Sequence, residues 1–200
     1  MIKYNVLHII TALYRFEHLE NVYNSIYMDN DIIWHISKSN KREDLTNDFI
    51  KTDKRIRLYN VDCEDTDTTS KRNVVLETIN DGYFCFLDDD TIFHENMYLK
   101  YRECLENRFI GMMVGEQTDW DGKLRLIASY PKYGRIDTGN VIAHHSCLTD
   151  CKWPKTHNPK VNQKDFDFKV HSLKRKKYLQ SIYSKKEIEH IQTLVNYSKK

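Results

Sequence analysis

Three consecutive carboxylates, Asp88, Asp89 and Asp90, follow directly on the apolar run Tyr83, Phe84, Cys85, Phe86 and Leu87. Adjacent like charges repel, and they are tolerated only when solvated, hydrogen-bonded or neutralised by a cation. A hard divalent ion, Mn2+ or Mg2+, suits them, because such ions take one or two carboxylates and fill their shell with water and phosphate oxygens. The same aspartates have a plainer reading as carboxylates at the start of the next helix, beside its dipole. The run in front of them favours a ligand site. It is short, aromatic and β-favouring, like a strand buried inside a sheet covered on both faces. In open α/β sheets the ligand crevice lies outside the carboxyl ends of the strands, where this run would deliver the aspartates.

The elements that must position them alternate in type. Residues 5–10 read as a strand, and 16–27 as a helix with Leu19, Val22, Tyr23 and Ile26 at helical spacing. A second strand at 32–36, a helix at 42–51 and a short strand at 55–59 follow. Residues 61–70 are polar loop. A helix over 71–80 opens with Lys71, Arg72 and Asn73 after a candidate Ser70 cap, and 95–107 form another helix. This alternation predicts βαβ units and a mainly parallel sheet. No glycine-rich fingerprint follows the first strand, where Thr11, Ala12, Leu13, Tyr14 and Arg15 stand, which weakens a nicotinamide or flavin reading.

Beyond residue 108 the pattern changes. Strand-like stretches at 109–116 and 123–130 flank Asp121-Gly122, a hairpin signal. Residues 139–143 form a further strand, 152–162 a loop with Pro154 and Pro159, and 185–197 a closing amphipathic helix. The fold class is therefore α/β: a mixed, mainly parallel central sheet flanked by helices, with a small antiparallel C-terminal part.

Two hundred residues, 40% of them hydrophobic, suffice for one domain over 1–200. The net charge of +2, from 31 basic and 29 acidic residues, gives no global field for nucleic acid. The basic run Lys174, Arg175, Lys176, Lys177 reads as a solvated face or a phosphate contact. Five cysteines without CxxC spacing argue against a disulfide scaffold. Cys147 and Cys151, near His144, His145 and His157, fit no established zinc spacing. With no signal peptide and no 18-residue apolar segment, the expectation is a soluble cytoplasmic chain without a transmembrane segment, or a module of a longer multidomain polypeptide.

Taken together, a parallel N-terminal half, a strand ending in Asp-Asp-Asp and a mixed second half resemble nucleotide-diphosphate-sugar glycosyltransferases of the GT-A (Rossmann-like) fold, across roughly residues 4–170. Their strand-terminal D-x-D motif holds a divalent metal and the donor. The local likeness is to inverting glucuronyltransferases with an Asp-Asp-Asp motif, which share an Arg-Asn helix start, here Arg72-Asn73, and a later segment, here Ile136-Asp137-Thr138-Gly139-Asn140. Gln163-Lys164-Asp165-Phe166-Asp167 is similar to the Glu-Asp acceptor-side motif of the large bacterial-type inverting family, with Lys164 in place of its Glu.

The resemblance implies a nucleotide-binding half over 1–108 and an acceptor-side half with the C-terminal helix over 109–200. Asp90, with Asp88, would hold Mn2+ or Mg2+, while Asp88 and Asp89 would contact the nucleoside or ribose. Thr11, Leu13, Tyr14, Arg15 and Ser37 or Lys38 would lie near the base. Arg72 would face the diphosphate, or else pair with Asp88 to hold the loop. His171 or a member of the basic run would approach the phosphates. The proton acceptor would be Asp165, with Asp167 and Asp137 as the next candidates, although each could also cap a helix or start a turn. Trp120 and Trp153 could stack on sugar rings or fill a core. The implied partners are a UDP-sugar donor and a glycan or other hydroxyl acceptor. Two alternatives stay open: a nucleotidyltransferase, whose usual glycine-rich loop is missing from 11–16, and a non-catalytic sugar-nucleotide-binding module of the same fold.

Overall fold

The computed structural model describes residues 6–26, 29–107, 112–114, 117–118, 123–126, 139, 141–148 and 196–197. In chain order the elements are β1 (Leu7–Ala12), α1 (Leu19–Ser25), β2 (Ile32–Ser39), α2 (Asp48–Thr52), β3 (Ile56–Val61), α3 (Thr68–Leu76), β4 (Tyr83–Phe86), β5 (Thr91–Ile92), α4 (Glu95–Glu106), β6 (Met112–Val114), β7 (Gln117–Thr118), β8 (Leu124–Leu126), β9 (Val141–His144) and β10 (Asn196–Tyr197).

Six strands form the main sheet in the order β3-β2-β1-β4-β9-β6. β1, β2, β3 and β4 are parallel, while β9 runs antiparallel to β4 and β6. All six residues of β1 are buried, as expected of a central strand covered on both faces. On one face Leu7, Ile9, Trp34 and Cys85 pack with Leu19 and Val22 of α1 and Met97 and Tyr101 of α4. On the other, α3 packs across β1, β2 and β3. Burying each large aliphatic side chain of these strands contributes about 1.5–3 kcal/mol.

Because β1 lies between β2 and β4, the chain leaves β1 toward one side of the sheet and returns on the other. That reversal is the topological switch point at which open α/β sheets bind ligands. Register brings the two loops concerned together: Ile10 pairs with Phe86 and Ala12 with Ser37, so residues 13–15 and 87–90 emerge side by side. The strand that carries the aspartates is entered through Gly82, whose φ of +61° suits glycine. A Cβ there would stand 2.1 Å from the Val6 carbonyl oxygen, which accepts the Tyr83 N–H that starts the β1–β4 ladder.

Several expected boundaries move. β2 runs on to Ser39, three residues past its expected end, so the polar residues Ser37, Lys38 and Ser39 are buried within the strand. The helix expected over 42–51 is reduced to α2, because Arg42 turns back on the Ser39 carbonyl and its guanidinium is held by Asp65. Helix α3 starts at Thr68, and its cap is Asp67, which accepts from the Ser70 N–H at 3.0 Å; the expected cap, Ser70, lies inside the helix. β8 pairs antiparallel with β7, whereas β6 joins the main sheet beside β9; Asp121-Gly122 lie outside the described residues. Asn196 and Tyr197, expected at the end of a helix, are paired as a strand with β5 in a second, four-stranded sheet. Among the described residues no helix is long and apolar enough to cross a membrane.

Candidate functional site

The three aspartates differ in burial and in partners. Asp89 points back into the protein and is 3% exposed. Its Oδ2 accepts from the backbone N–H groups of Tyr14 and Arg15, at 2.5 and 2.7 Å, and its Oδ1 accepts from Arg15 Nε at 2.9 Å and Nη2 at 2.8 Å. The middle carboxylate thus fastens the loop after β1 to the end of β4.

Asp88 and Asp90 flank it. Asp88, 30% exposed, accepts from Arg72 Nη2 at 3.0 Å, and the Arg72 guanidinium lies over the Phe86 ring. Asp90 pairs with Arg15 Nη1. Burial raises the Asp90 carboxyl above its ordinary range, against the opposing pull of Arg15. Desolvation works against the Arg15 charge, yet Asp89 and Asp90 together carry that guanidinium above its usual value.

Beneath the loop lies a polar scaffold. Trp34 Nε1 donates to Thr11 Oγ1 at 2.9 Å, the Leu13 N–H to the Ser37 carbonyl at 2.8 Å, and Ser37 Oγ to the Thr11 carbonyl at 3.2 Å. Thr11, Leu13 and Ser37 have essentially no exposed surface, so they support the loop from below. Tyr14, next in the chain after Leu13, meets solvent at 43% exposure. The Arg42 guanidinium lies 5.6 Å from its ring centroid and 5.0 Å from that of Phe16. Arg42 is in turn bound to Asp65 by Nε and Nη2, at 2.8 and 2.5 Å. Burial opposes the Asp65 charge, but Arg42 and Lys71 hold its carboxyl below the usual range. Arg42 thus lies over two aromatic rings of the loop that Asp89 holds.

Of the residues singled out from sequence, Thr11, Leu13, Tyr14, Arg15, Ser37, Arg72, Asp88, Asp89 and Asp90 come together at the carboxyl ends of β1, β2 and β4. Asp165, Asp167, Asp137 and His171, like Trp120 and Trp153, lie outside the described residues. Sequence reasoning missed Arg42 and Asp65, which stand in stretches read as helix and loop. Lys71 was noted only as a donor at a helix start, yet it is fully buried, with Nζ on the Leu13 carbonyl at 2.6 Å and the Asp65 carbonyl at 2.5 Å.

Among the described residues no three His, Cys, Asp or Glu side chains form a closed metal cage. An ion that needs only one or two carboxylates, and takes its other ligands from water and phosphate, would draw them from Asp88 and Asp90, which here pair with Arg72 and Arg15.

No protein-family model matches the sequence, and no curated protein does. Solved structures do match. Residues 1–349 of S. aureus TarS in complex with UDP superpose with a TM-score of 0.64 at 9% identity, covering 98% of this chain and 58% of that one. A further structure of TarS 1–349 gives a TM-score of 0.61 at 10% identity, with 98% and 58% covered. The complex of TarS 1–349 with UDP-GlcNAc gives 0.58 at 9% identity, with 98% and 56% covered. The fold is thus that of TarS 1–349, a mainly parallel α/β sheet flanked by helices, and this chain spans just over half the length of those TarS 1–349 chains.

Proposed function

We propose that the chain is a glycosyltransferase domain that moves a sugar from a nucleoside-diphosphate donor, a UDP-sugar, to a glycan or other hydroxyl acceptor with inversion. One observation carries this reading: Asp88, Asp89 and Asp90 follow the end of β4 at the switch point of the sheet, where Asp89 fastens them to the loop that bears the exposed Tyr14. TarS, whose UDP and UDP-GlcNAc complexes have this fold, supports the choice of donor.

The residues divide the work as the chemistry requires. Tyr14, backed by Arg42, offers a face on which a planar base can stack. Arg72, beside Asp88, offers a cation to the diphosphate. Asp90 with Asp88 would hold Mn2+ or Mg2+, which when bound offsets the charge that develops on the leaving diphosphate. Asp165, or else Asp167 or Asp137, would take the acceptor's proton on the side of the sugar away from that leaving group.

A thermal-shift screen of nucleotides and sugar nucleotides, each with and without Mn2+, tests the reading. A ligand that binds only the folded state raises the melting temperature by mass action, so a UDP-sugar should do so and Mn2+ should enlarge the shift. A screen in which no sugar nucleotide stabilises the chain would overturn the assignment. Stabilisation without turnover over a panel of acceptors would favour the non-catalytic module.

A further inference from the structure

Arg15 is bonded to two of the three aspartates at once, and the two attachments differ in kind. Nε and Nη2 both reach Asp89 Oδ1, and the Arg15 backbone N–H reaches the other oxygen of the same carboxylate. Nη1 goes instead to Asp90 Oδ2. A guanidinium is a flat fork with donors in fixed directions, so withdrawal of Nη1 from Asp90 leaves the fork on Asp89 in place. The charges constrain what can enter. Against three carboxylates stand two guanidinium groups, Arg15 and Arg72, and both touch the motif. A dication arriving alone at Asp90 meets a guanidinium that remains tied nearby through Asp89, so like charges face one another. A diphosphate arriving with it supplies the negative charge that both cations need.

We infer that Arg15 is an internal counter-ion of Asp90: it occupies that carboxylate until a nucleoside diphosphate and a divalent cation arrive together, then yields Asp90 to the cation and offers Nη1 to a phosphate oxygen. This rests on the metal-dependent donor reading above and makes Arg15 a positioning residue that couples cation binding to donor binding. Such coupling is reciprocal, each ligand tightening the other by one common factor.

The test is a Mn2+ titration of the full chain, with free aquo-Mn2+ followed by electron paramagnetic resonance, in the presence and absence of UDP. Wild type should bind Mn2+ weakly alone and about tenfold or more tightly with UDP, within the usual range of coupling between sites. Arg15→Gln should bind Mn2+ alone about tenfold more tightly than wild type and lose most of the gain from UDP. Arg15→Lys, which restores the charge, should return Mn2+ affinity toward wild type. A merely structural arginine would not make metal binding tighter when removed. If Arg15→Gln binds Mn2+ no better than wild type while UDP still promotes Mn2+ binding to wild type, the counter-ion role falls and the donor reading stands. If wild type takes up no Mn2+ even with UDP, the metal reading falls and this inference with it. A second measurement needs no variant. In 15N-arginine-labelled wild type, Mg2+ with UDP should shift the Arg15 Nη resonances while its Nε–H stays protected, and unmoved Nη resonances would overturn the inference.

Discussion

Lys71 Nζ and the carbonyl oxygen of Leu13 are 2.6 Å apart, joining the first turns of α3 to the loop after β1. The same ammonium donates to the Asp65 carbonyl at 2.5 Å and lies 3.4 Å from Asp65 Oδ1, on a side chain with no exposed surface. One buried cation therefore satisfies two carbonyls under the candidate nucleotide crevice. Lys71→Met keeps the apolar stem and removes the donors, leaving both carbonyls short of a partner. Unsatisfied buried acceptors cost about 1–3 kcal/mol. Urea denaturation should show a loss on that scale, and affinity for a UDP-sugar should fall because residues 13–15 lose their lower support. A variant as stable as wild type would show that water replaces the lysine without cost.

The middle and outer aspartates should respond differently to the same change. Asp89→Asn swaps an acceptor-only carboxylate for an amide whose NH2 faces the donors of Tyr14 and Arg15, so about 2–3 kcal/mol of stability should be lost along with donor binding. Asp88→Asn alters a partly exposed pair with Arg72, worth about 1 kcal/mol or less, and should lower donor affinity with little effect on melting temperature. Equal destabilisation by the two substitutions would contradict the division of labour drawn from their burial.

How much of this was legible in the sequence depends on distance along the chain. Apart from the two-residue β5, the order of strands and helices through α4 was readable, since the apolar periodicity of Leu19, Val22 and Ile26 and the unbroken run from Tyr83 are local signals. The place of the aspartates at a strand end was readable for the same reason. The direction each carboxylate takes was not, because Asp89 is aimed by backbone N–H groups 74 and 75 residues away. Lys71 carried a misleading signal: lysine ordinarily reads as solvated, and only the approach of Leu13 and Asp65 explains its burial. The helix expected from residue 42 failed for a related reason, since Arg42 is committed to Asp65, 23 residues on.

Two histidines on the α3 side of the sheet make stability depend on pH. His8 Nδ1 and His35 Nε2 are 2.9 Å apart, His8 Nε2 lies 2.9 Å from Asp81 Oδ1, and His35 Nδ1 lies 2.9 Å from the Tyr59 hydroxyl. Burial lowers His8, against the pull of Asp81, and lowers His35 from 6.5 to about 3, helped by His8 and Arg57. Both folded-state values thus lie below the unfolded one, so the unfolded chain takes up protons first as pH falls. The contribution is intact above about pH 6.5 and is lost from there down toward pH 3, with each histidine adding a slope of up to about 1.4 kcal/mol per pH unit. Urea denaturation at pH 7.5, 6 and 5 should show the decline, and His35→Gln should flatten it. A slope unchanged by that substitution would assign the acid sensitivity to other groups.

The sharpest test of the proposed reaction separates binding from transfer. An inverting displacement needs a carboxylate that receives the acceptor proton as the diphosphate departs, and that group has no part in holding the nucleotide. Asp165→Asn should therefore leave the UDP-sugar dissociation constant near wild type and lower the transfer rate by about 10^2 or more, the usual effect of losing a positioned base. Titration calorimetry measures the first quantity and product formation under saturating donor the second. A fall in both together would make Asp165 part of the donor pocket. An unchanged rate would pass the role to Asp167 or Asp137, where the same pair of measurements decides.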